Sequence, residues 1–357
     1  MNLNLEDLTL NAEEANEVGK AIFVDVLEQS DLAEHHDIVT GVQHKTQIPF
    51  IGTLGLVGKK ILGCKPDANG NQIPFSEKFW DPVLIGDRFE HCATDLDPLL
   101  KLFKKAQKMN PDYFNRIDSE ELGIVKMRVE QALKEMLQRL AWFSDTTVEN
   151  VVDGGYLTNG TDITFFNMLD GIWKQIMSTD IPSGSQYHVP IAANATATYV
   201  LQQTLADDFA YELFRSMWRK ADSRLKQLVR NGLEIHIHVT PGIYENWVDY
   251  REDKSLAFTL DKAENGGYVD LWRKLKVIPR YDWEEVITSY QDNGTKWNLP
   301  NRALLTTPGN IPIGTVSTED FEKLISQYDA YNQVNFMDFA LKMDAKFLQD
   351  YLAVAAY

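Results

Sequence analysis

The chain has 357 residues, 44% of them hydrophobic and 11% aromatic, which supports a sizeable core and exceeds one typical domain. Its formal net charge of -17 excludes general affinity for phosphate backbones, because gripping nucleic acid needs a basic surface that releases counterions. No run of eighteen apolar residues exists to span a membrane, and Cys64 and Cys92 are too few for a disulfide framework or a zinc cluster.

Residues 1–36 open with an acidic stretch lacking the basic and apolar parts of a secretory signal, so a cytoplasmic start is expected. Val18, Ile22, Val26 and Leu27 then share one helical face, too short to stand alone. This N-terminal arm must dock on the rest of the molecule or on a neighbour. From residue 37 the period becomes two: Ile38, Thr40, Val42, His44, Thr46 and Ile48 alternate as in a strand that Pro49 ends. Glycines at 52, 55, 58 and 63 and a Pro66–Gly70 turn follow, and a returning segment carries Ile73, Phe75, Phe79, Val83, Ile85 and Phe89 at odd positions. Residues 37–92 therefore read as a long irregular hairpin that cannot bury its own aromatics, so it must lie on something else.

A short helix is expected over 96–109, its Lys101, Lys104, Lys105 and Lys108 forming a solvated face. The longest pattern runs over 118–145. Leu122, Val125, Val129, Leu133, Met136, Leu137 and Leu140 recur every three or four positions, Asp118 is placed to cap, and no proline interrupts the run. At about 1.5 Å per residue this predicts a rod of roughly 35 Å, the width of a domain. Its Glu130/Lys134 and Glu135/Arg139 pairs each add only about 0.2 to 0.5 kcal/mol, so burial of the apolar stripe must hold it.

Beyond it, Gly154-Gly155 and Asn159-Gly160 signal turns, and Phe165, Leu169, Ile172, Trp173 and Ile176 mark one helical face. After a loop at 181–190, a helical pattern spans 198–230 with a break near Asp207-Asp208, and Gly232 stops it. Residues 233–240 read as a strand, Pro241-Gly242 as the turn into a helix, 275–278 as a strand and 283–290 as a helix. Two further strands, 302–307 and 311–316, meet at Pro308-Gly309-Asn310. Single strands interleaved with helices indicate a mixed α/β unit with one sheet. The tail, with Val334, Phe336, Leu341, Met343 and Phe347 and an apolar end, reads as strands returning beside the long helix.

Few residues invite chemistry. His236 and His238 share one face of a strand, a pattern that can bind metal, yet no third ligand stands at a supporting spacing and, with Glu234 and Thr240 on that face too, a polar sheet surface or a hydrogen-bonded pair under a helix is the expected state. His35-His36, adjacent and pointing apart, is weaker still. There is no phosphate loop, nucleophile elbow or dinucleotide fingerprint. Asp207-Asp208 and Glu284-Glu285 are neighbours on different helix faces, and the Asn159, Asn194 and Asn293 glycosylation patterns read as turn chemistry. No catalytic, cofactor-binding or metal residue is assigned, and no enzyme activity is expected.

Four stretches carry a resemblance: Leu140-Ala-Trp-Phe-Ser-Asp-Thr, Phe166-Asn-Met-Leu-Asp-Gly-Ile-Trp-Lys-Gln-Ile, His238-Val-Thr-Pro-Gly-Ile-Tyr, and Leu299-Pro-Asn-Arg-Ala-Leu-Leu-Thr-Thr-Pro-Gly-Asn-Ile-Pro-Ile-Gly. Together, over residue 37 to the end, they resemble the major capsid proteins of tailed bacteriophages with the Hong Kong 97 fold, especially those of phages of Bacteroidetes hosts. That resemblance implies an N-terminal arm (1–36), an E-loop hairpin and its flanks (37–92), a P-domain (93–147) with a spine helix at 118–144, an A-domain (148–320) and a return to the P-domain (321–357). It implies a non-enzymatic subunit without cofactors that assembles into pentamers and hexamers around double-stranded DNA, in a virion capsid made in the host bacterial cytoplasm, with separate scaffolding, portal and decoration proteins as partners. It predicts an E-loop lying over the neighbouring subunit. Lysine–asparagine crosslinking, known in some relatives, is not carried over to Lys45, Lys59, Lys60, Asn332 or Asn335, which match no motif. The alternatives are an encapsulin-type shell and, from another class, a metal-dependent enzyme using His236 and His238.

Overall fold

The computed structural model describes residues 31–42, 44–48, 78–92, 120–256, 260–262, 268–316, 324–329 and 334–357. The expected helices at 18–27 and 96–109, the glycines at 52–63, the turn at 66–70 and the cap at Asp118 lie outside them.

The described chain starts with helix α1 (Asp31–His35) and strands β1 (Ile38–Val39), β2 (Thr46–Gln47), β3 (Phe79–Trp80) and β4 (Val83–Cys92). The alternating run 38–48 is thus two short strands rather than one, because Gly41 turns the chain at a φ of 83°. The spine helix α2 (Glu120–Phe143) buries Val129, Leu133, Met136, Leu137 and Leu140, the stripe read from the sequence. Glu130, expected on the polar side, is buried as well.

What stops α2 also breaks the helix expected over 165–176. Ser144 Oγ donates to Phe166 O at 2.7 Å, and Gly171 N donates to Ser144 O at 2.8 Å. A Cβ at Gly171 would stand 2.9 Å from Ser144 N, so only glycine lets the chain pass this close. A single turn at 163–165, helix α3 (Ile172–Gln175) and a π-turn at 176–180 replace the continuous helix. Phe166 rather than Phe165 is buried.

Strand β5 (His188–Val189) is followed by α4 (Tyr199–Gln203), α5 (Phe209–Lys220) and α6 (Ser223–Arg230). The run 198–230 is therefore broken twice. The second break comes at Ala221-Asp222, where the Asp222 side chain accepts from Arg224 N and caps a new helix. Gly232, at φ 83°, ends it as expected. Next come β6 (His236–Val239), α7 (Pro241–Asp253), β7 (Leu260–Lys262), β8 (Tyr268–Trp272), β9 (Leu275–Pro279), α8 (Tyr281–Tyr290), β10 (Ala303–Thr306), β11 (Ile313–Thr315), β12 (Leu324–Asp329), β13 (Val334–Ala345) and β14 (Ala353–Ala356).

Two larger sheets and the two-stranded pair β2-β3 organise these strands. The larger has the order β5-β14-β10-β6-β9-β8-β7, mixed in direction: β6 runs parallel to β9, and β10 runs antiparallel to both β6 and β14. Every residue of β6, β10 and β14 is buried, because both faces are covered. One face packs on α5 and α7 through Phe214, Met217 and Trp247. The other meets the end of the spine helix, α3 and α8 through Leu140, Trp142, Trp173 and Trp283.

The smaller sheet is built on β13. Met343 pairs with Val83 on one edge and Thr315 on the other, so β4 occupies one side while β11 and β12 share the opposite one. Strand β1 adds to β11 in parallel. Strands β10 and β11, adjacent in sequence, therefore belong to different sheets, and the chain end β14 lies between β5 and β10 of the larger sheet, where Ala353 and Ala355 share a core with the end of the spine helix. The apolar tail found its burial there because the centre of that sheet is covered on both faces.

Candidate functional site

The structure converges at the end of the spine helix. Strand β6 alternates its side chains, so Ile237 and Val239 enter the core under α5 and α7 while His236 and His238 face the spine end, both fully buried. Helix α1 lies against them. The His35 ring is 5.8 Å from that of His236 and 5.5 Å from that of His238, which are 5.7 Å apart. His36 Nδ1 donates to Ile311 O at 2.8 Å, and its ring lies 5.2 Å from Trp142. The two adjacent histidines thus do not diverge in effect: the junction wraps around the last turn of α1 and receives both.

Trp142 packs on Trp283 at 4.6 Å, and the Arg280 guanidinium lies 5.1 Å from the Trp142 ring while pairing with Asp282 at 2.6 Å. Burial, then the Arg280 charge, lowers the pKa of His35 and of His36 to about 3, and the same two causes hold His238 well below its ordinary value. His236 is also lowered by burial, against the Glu234 carboxylate 3.2 Å from its Nε2. At neutral pH the cluster is uncharged. Among the described residues no three His, Cys, Asp or Glu side chains are placed to hold a metal ion.

A second buried cation, Arg302, donates to Leu299 O, Gln291 Oε1 and Asn298 O and lies over Phe143 and Trp173; burial pulls its pKa down to about 9. Beside it the Asn194 side chain bonds the Asn301 backbone twice, Nδ2 donating to Asn301 O at 2.7 Å and Oδ1 accepting from Asn301 N at 2.9 Å. Asn194 is therefore an internal clamp, while Asn293 accepts from Thr295 N and Lys296 N and Asn159 from Val152 N. Glu284 and Glu285 are both exposed on α8.

The smaller sheet forms a ribbon with unequal faces. Ile85 is 2% exposed and packs with Phe339, Leu341 and Met343, whereas Leu84 on the other face is 64% exposed. There Arg88 makes a two-pronged bond to Asp338 at 2.6 and 2.8 Å. A Cβ at Gly86 would stand 2.6 Å from Phe339 O, so glycine allows the close strand approach. A groove of about 760 Å³ runs between the ribbon's inner face, the spine helix at Met136 and Arg139, and Phe165. Of the hairpin expected over 37–92, the described part closes at Thr46↔Trp80 and Gln47↔Phe79, and its returning strand pairs with β13 of the same chain. Lys45 lies 3.7 Å from Asp81 at this root, both exposed; Lys59, Lys60, Asn332 and Cys64 lie outside the described residues.

The sequence marked His236 and His238 and, more weakly, His35-His36, but not that the two pairs meet. His35 and His36 lie about two hundred positions away, and Arg280 gave no signal at all.

The sequence matches no family model, and no curated protein is found to be similar. Among solved structures the chain is similar to one in "Satellite phage P4 procapsid including size determination (Sid) protein", with a TM-score of 0.53 at 11% identity, over 94% of this chain and 89% of that one. Weaker likenesses are to Mycobacterium phage Ogopogo (TM-score 0.46, 10% identity, 92% of this chain and 91% of that one) and to the holo-SrpI encapsulin complex from Synechococcus elongatus PCC 7942 (0.45, 10%, 91% and 85%). The first alone carries the fold. With a spine helix, a mixed sheet at its end and a ribbon along its flank, the chain has the Hong Kong 97-type capsid fold.

Proposed function

We propose that the chain is the structural subunit of an icosahedral phage shell, assembling with copies of itself into pentamers and hexamers around double-stranded DNA. The single observation that supports this most is the likeness to a chain of the P4 procapsid over nearly the whole length. The physical layout agrees with it. A shell subunit needs a body that keeps its shape and a periphery that adjusts to neighbours: the larger sheet is covered on both faces, while the ribbon has one face covered and one open. The acidic charge suits a container that holds DNA without adhering to it. The role needs no catalytic step. Assembly in a bacterial cytoplasm, separate scaffolding, portal and decoration partners, and a Bacteroidetes phage as the source belong to the same proposal, the last resting on the four sequence stretches alone.

Electron microscopy of the purified full-length product tests it. Closed shells with five- and six-fold clusters are expected; a chain that stays monomeric at all concentrations overturns it. Nucleic acid inside shells purified from the native source favours a phage capsid, and a single enriched protein cargo favours the encapsulin-type reading.

A further inference from the structure

Residues 31–42 and 44–48 form a strap across the junction between the two larger sheets. Leu32 is its buried anchor, and β1 completes the smaller sheet, with Ile313 N donating to Asp37 O at 2.9 Å and Val42 N to Thr315 O at 2.9 Å. Immediately after it comes the β2–β3 pairing that roots the ribbon. Where the strap meets the larger sheet four buried imidazoles pack together, and the nearest carboxylate, Glu234, stands 3.2 Å from His236 Nε2 and is shared with Lys276.

We propose that the strap is seated by an acid-labile latch: His35 and His36 on the strap and His236 and His238 on β6 pack only while uncharged, and protonation drives the strap off the sheet and frees the root of the ribbon.

Ile311 O can only accept, so the His36 Nδ1 carries the hydrogen and Nε2 is the bare nitrogen. That Nε2 is buried with no hydrogen-bond partner among the described residues, as are both ring nitrogens of His238 and Nδ1 of His35. A proton added to any of them creates a buried charge whose new N–H has no acceptor. Three of the rings also lie within 6 Å of one another, so a second charge meets the first.

The charged groups facing the cluster do not rescue it. Arg280, before α8, and Lys276, on β9, oppose protonation; Glu234, before β6, and Glu34, on α1, favour it. Glu234 is already engaged by Lys276, and Arg280 by Asp282. The linkage has a definite sign. In the closed state the imidazole pKa values are depressed, to about 3 for His35 and His36, whereas an exposed imidazole titrates near ~6.5. Seating is therefore fully present above about pH 6.5 and is lost as the pH falls from there toward the closed-state values. Between pH 7.5 and 5, each imidazole that takes its proton only on opening multiplies the opening constant about thirtyfold, so two give roughly a thousandfold.

Hydrogen exchange of the full-length protein, corrected for intrinsic rates at each pH, tests the latch. Amides of 38–42 and 313–315 are expected to lose protection by about a thousandfold or more between pH 7.5 and 5, while those of α5 stay protected. His35→Gln and His36→Asn, the latter keeping a donor for Ile311 O, should each remove about thirtyfold of that loss. If one variant does not fold, the other carries the comparison. Unchanged protection at pH 5, simultaneous opening of α5, or undiminished acid opening in both variants overturns the proposal.

Discussion

The centre of the larger sheet and the ribbon beside the spine helix are made of similar residues and differ in what covers them. Strands β6, β10 and β14 are buried along their whole length, sandwiched between α5 and α7 on one side and the tryptophan cluster on the other. Strands β4 and β13 pair over ten residues, yet only their inner face reaches a core, and Leu84 and the Arg88–Asp338 pair look outward. Hydrogen-bonded length is not the source of rigidity here, because exchanging water for a ladder partner gains little per bond, whereas removing apolar surface from water on two faces gains on both. The body covers its sheet on both faces; the ribbon leaves Leu84 and its outer face open.

The largest test of this difference is Trp142→Ala. The side chain is fully buried where spine, sheet and strap meet, and its loss should cost about 3 to 5 kcal/mol in denaturant unfolding. A loss under about 1 kcal/mol would mean that the junction is not where the body is held together.

Smaller is Lys174→Met. Lys174 Nζ is 2.8 Å from Asp145 Oδ1 just past the spine helix. Burial pushes the Asp145 pKa up, but the Lys174 and Thr147 hydrogen bonds outweigh it and hold the carboxyl below its ordinary value. Removing the cation should cost about 2 kcal/mol at neutral pH. Because the folded pKa is depressed, that contribution is present above the ordinary carboxylate value of ~3.9 and fades as the pH falls through the folded one, so wild type and variant should converge in strong acid.

Comparable or slightly smaller in cost, but confined to the ribbon root, is Gly314→Ala. Its Cβ would stand 2.8 Å from the Trp80 ring, so the tryptophan must move, at about 1 to 3 kcal/mol. Proteolysis should then appear near 78–82 with the melting of the body almost unchanged; a fully shared destabilisation would erase the distinction between the regions. Last, Arg88→Ala should leave thermal stability unchanged within error, since the Arg88–Asp338 pair is exposed and screened.

The two regions were also unequally legible. Apolar periodicity located α2, α8 and β6 because each buries a stripe or strand that its own residues announce. The smaller elements were decided elsewhere. Gly171 must sit against the backbone of Ser144, which converts a helical-looking run into turns, and Asp222 prefers capping α6 to continuing α5. Likewise Pro308–Asn310 looks like a hairpin turn, yet it carries the chain from one sheet to the other. In the histidine cluster, β-alternation put His236 and His238 on one face, but nothing local marked His35 and His36 as their company.

The sequence by itself determined the long amphipathic rod, the mixed α/β character of the chain beyond that rod, and the strongly acidic net charge, since these depend on period and composition along neighbouring residues. Only the tertiary structure decided that the chain end enters the larger sheet between β5 and β10, that the strap closes the smaller one, and that four imidazoles from distant parts of the chain meet at the junction. Those outcomes join residues far apart in the chain, where the choice among partners is set by which apolar faces remain to be covered, and no local pattern records it.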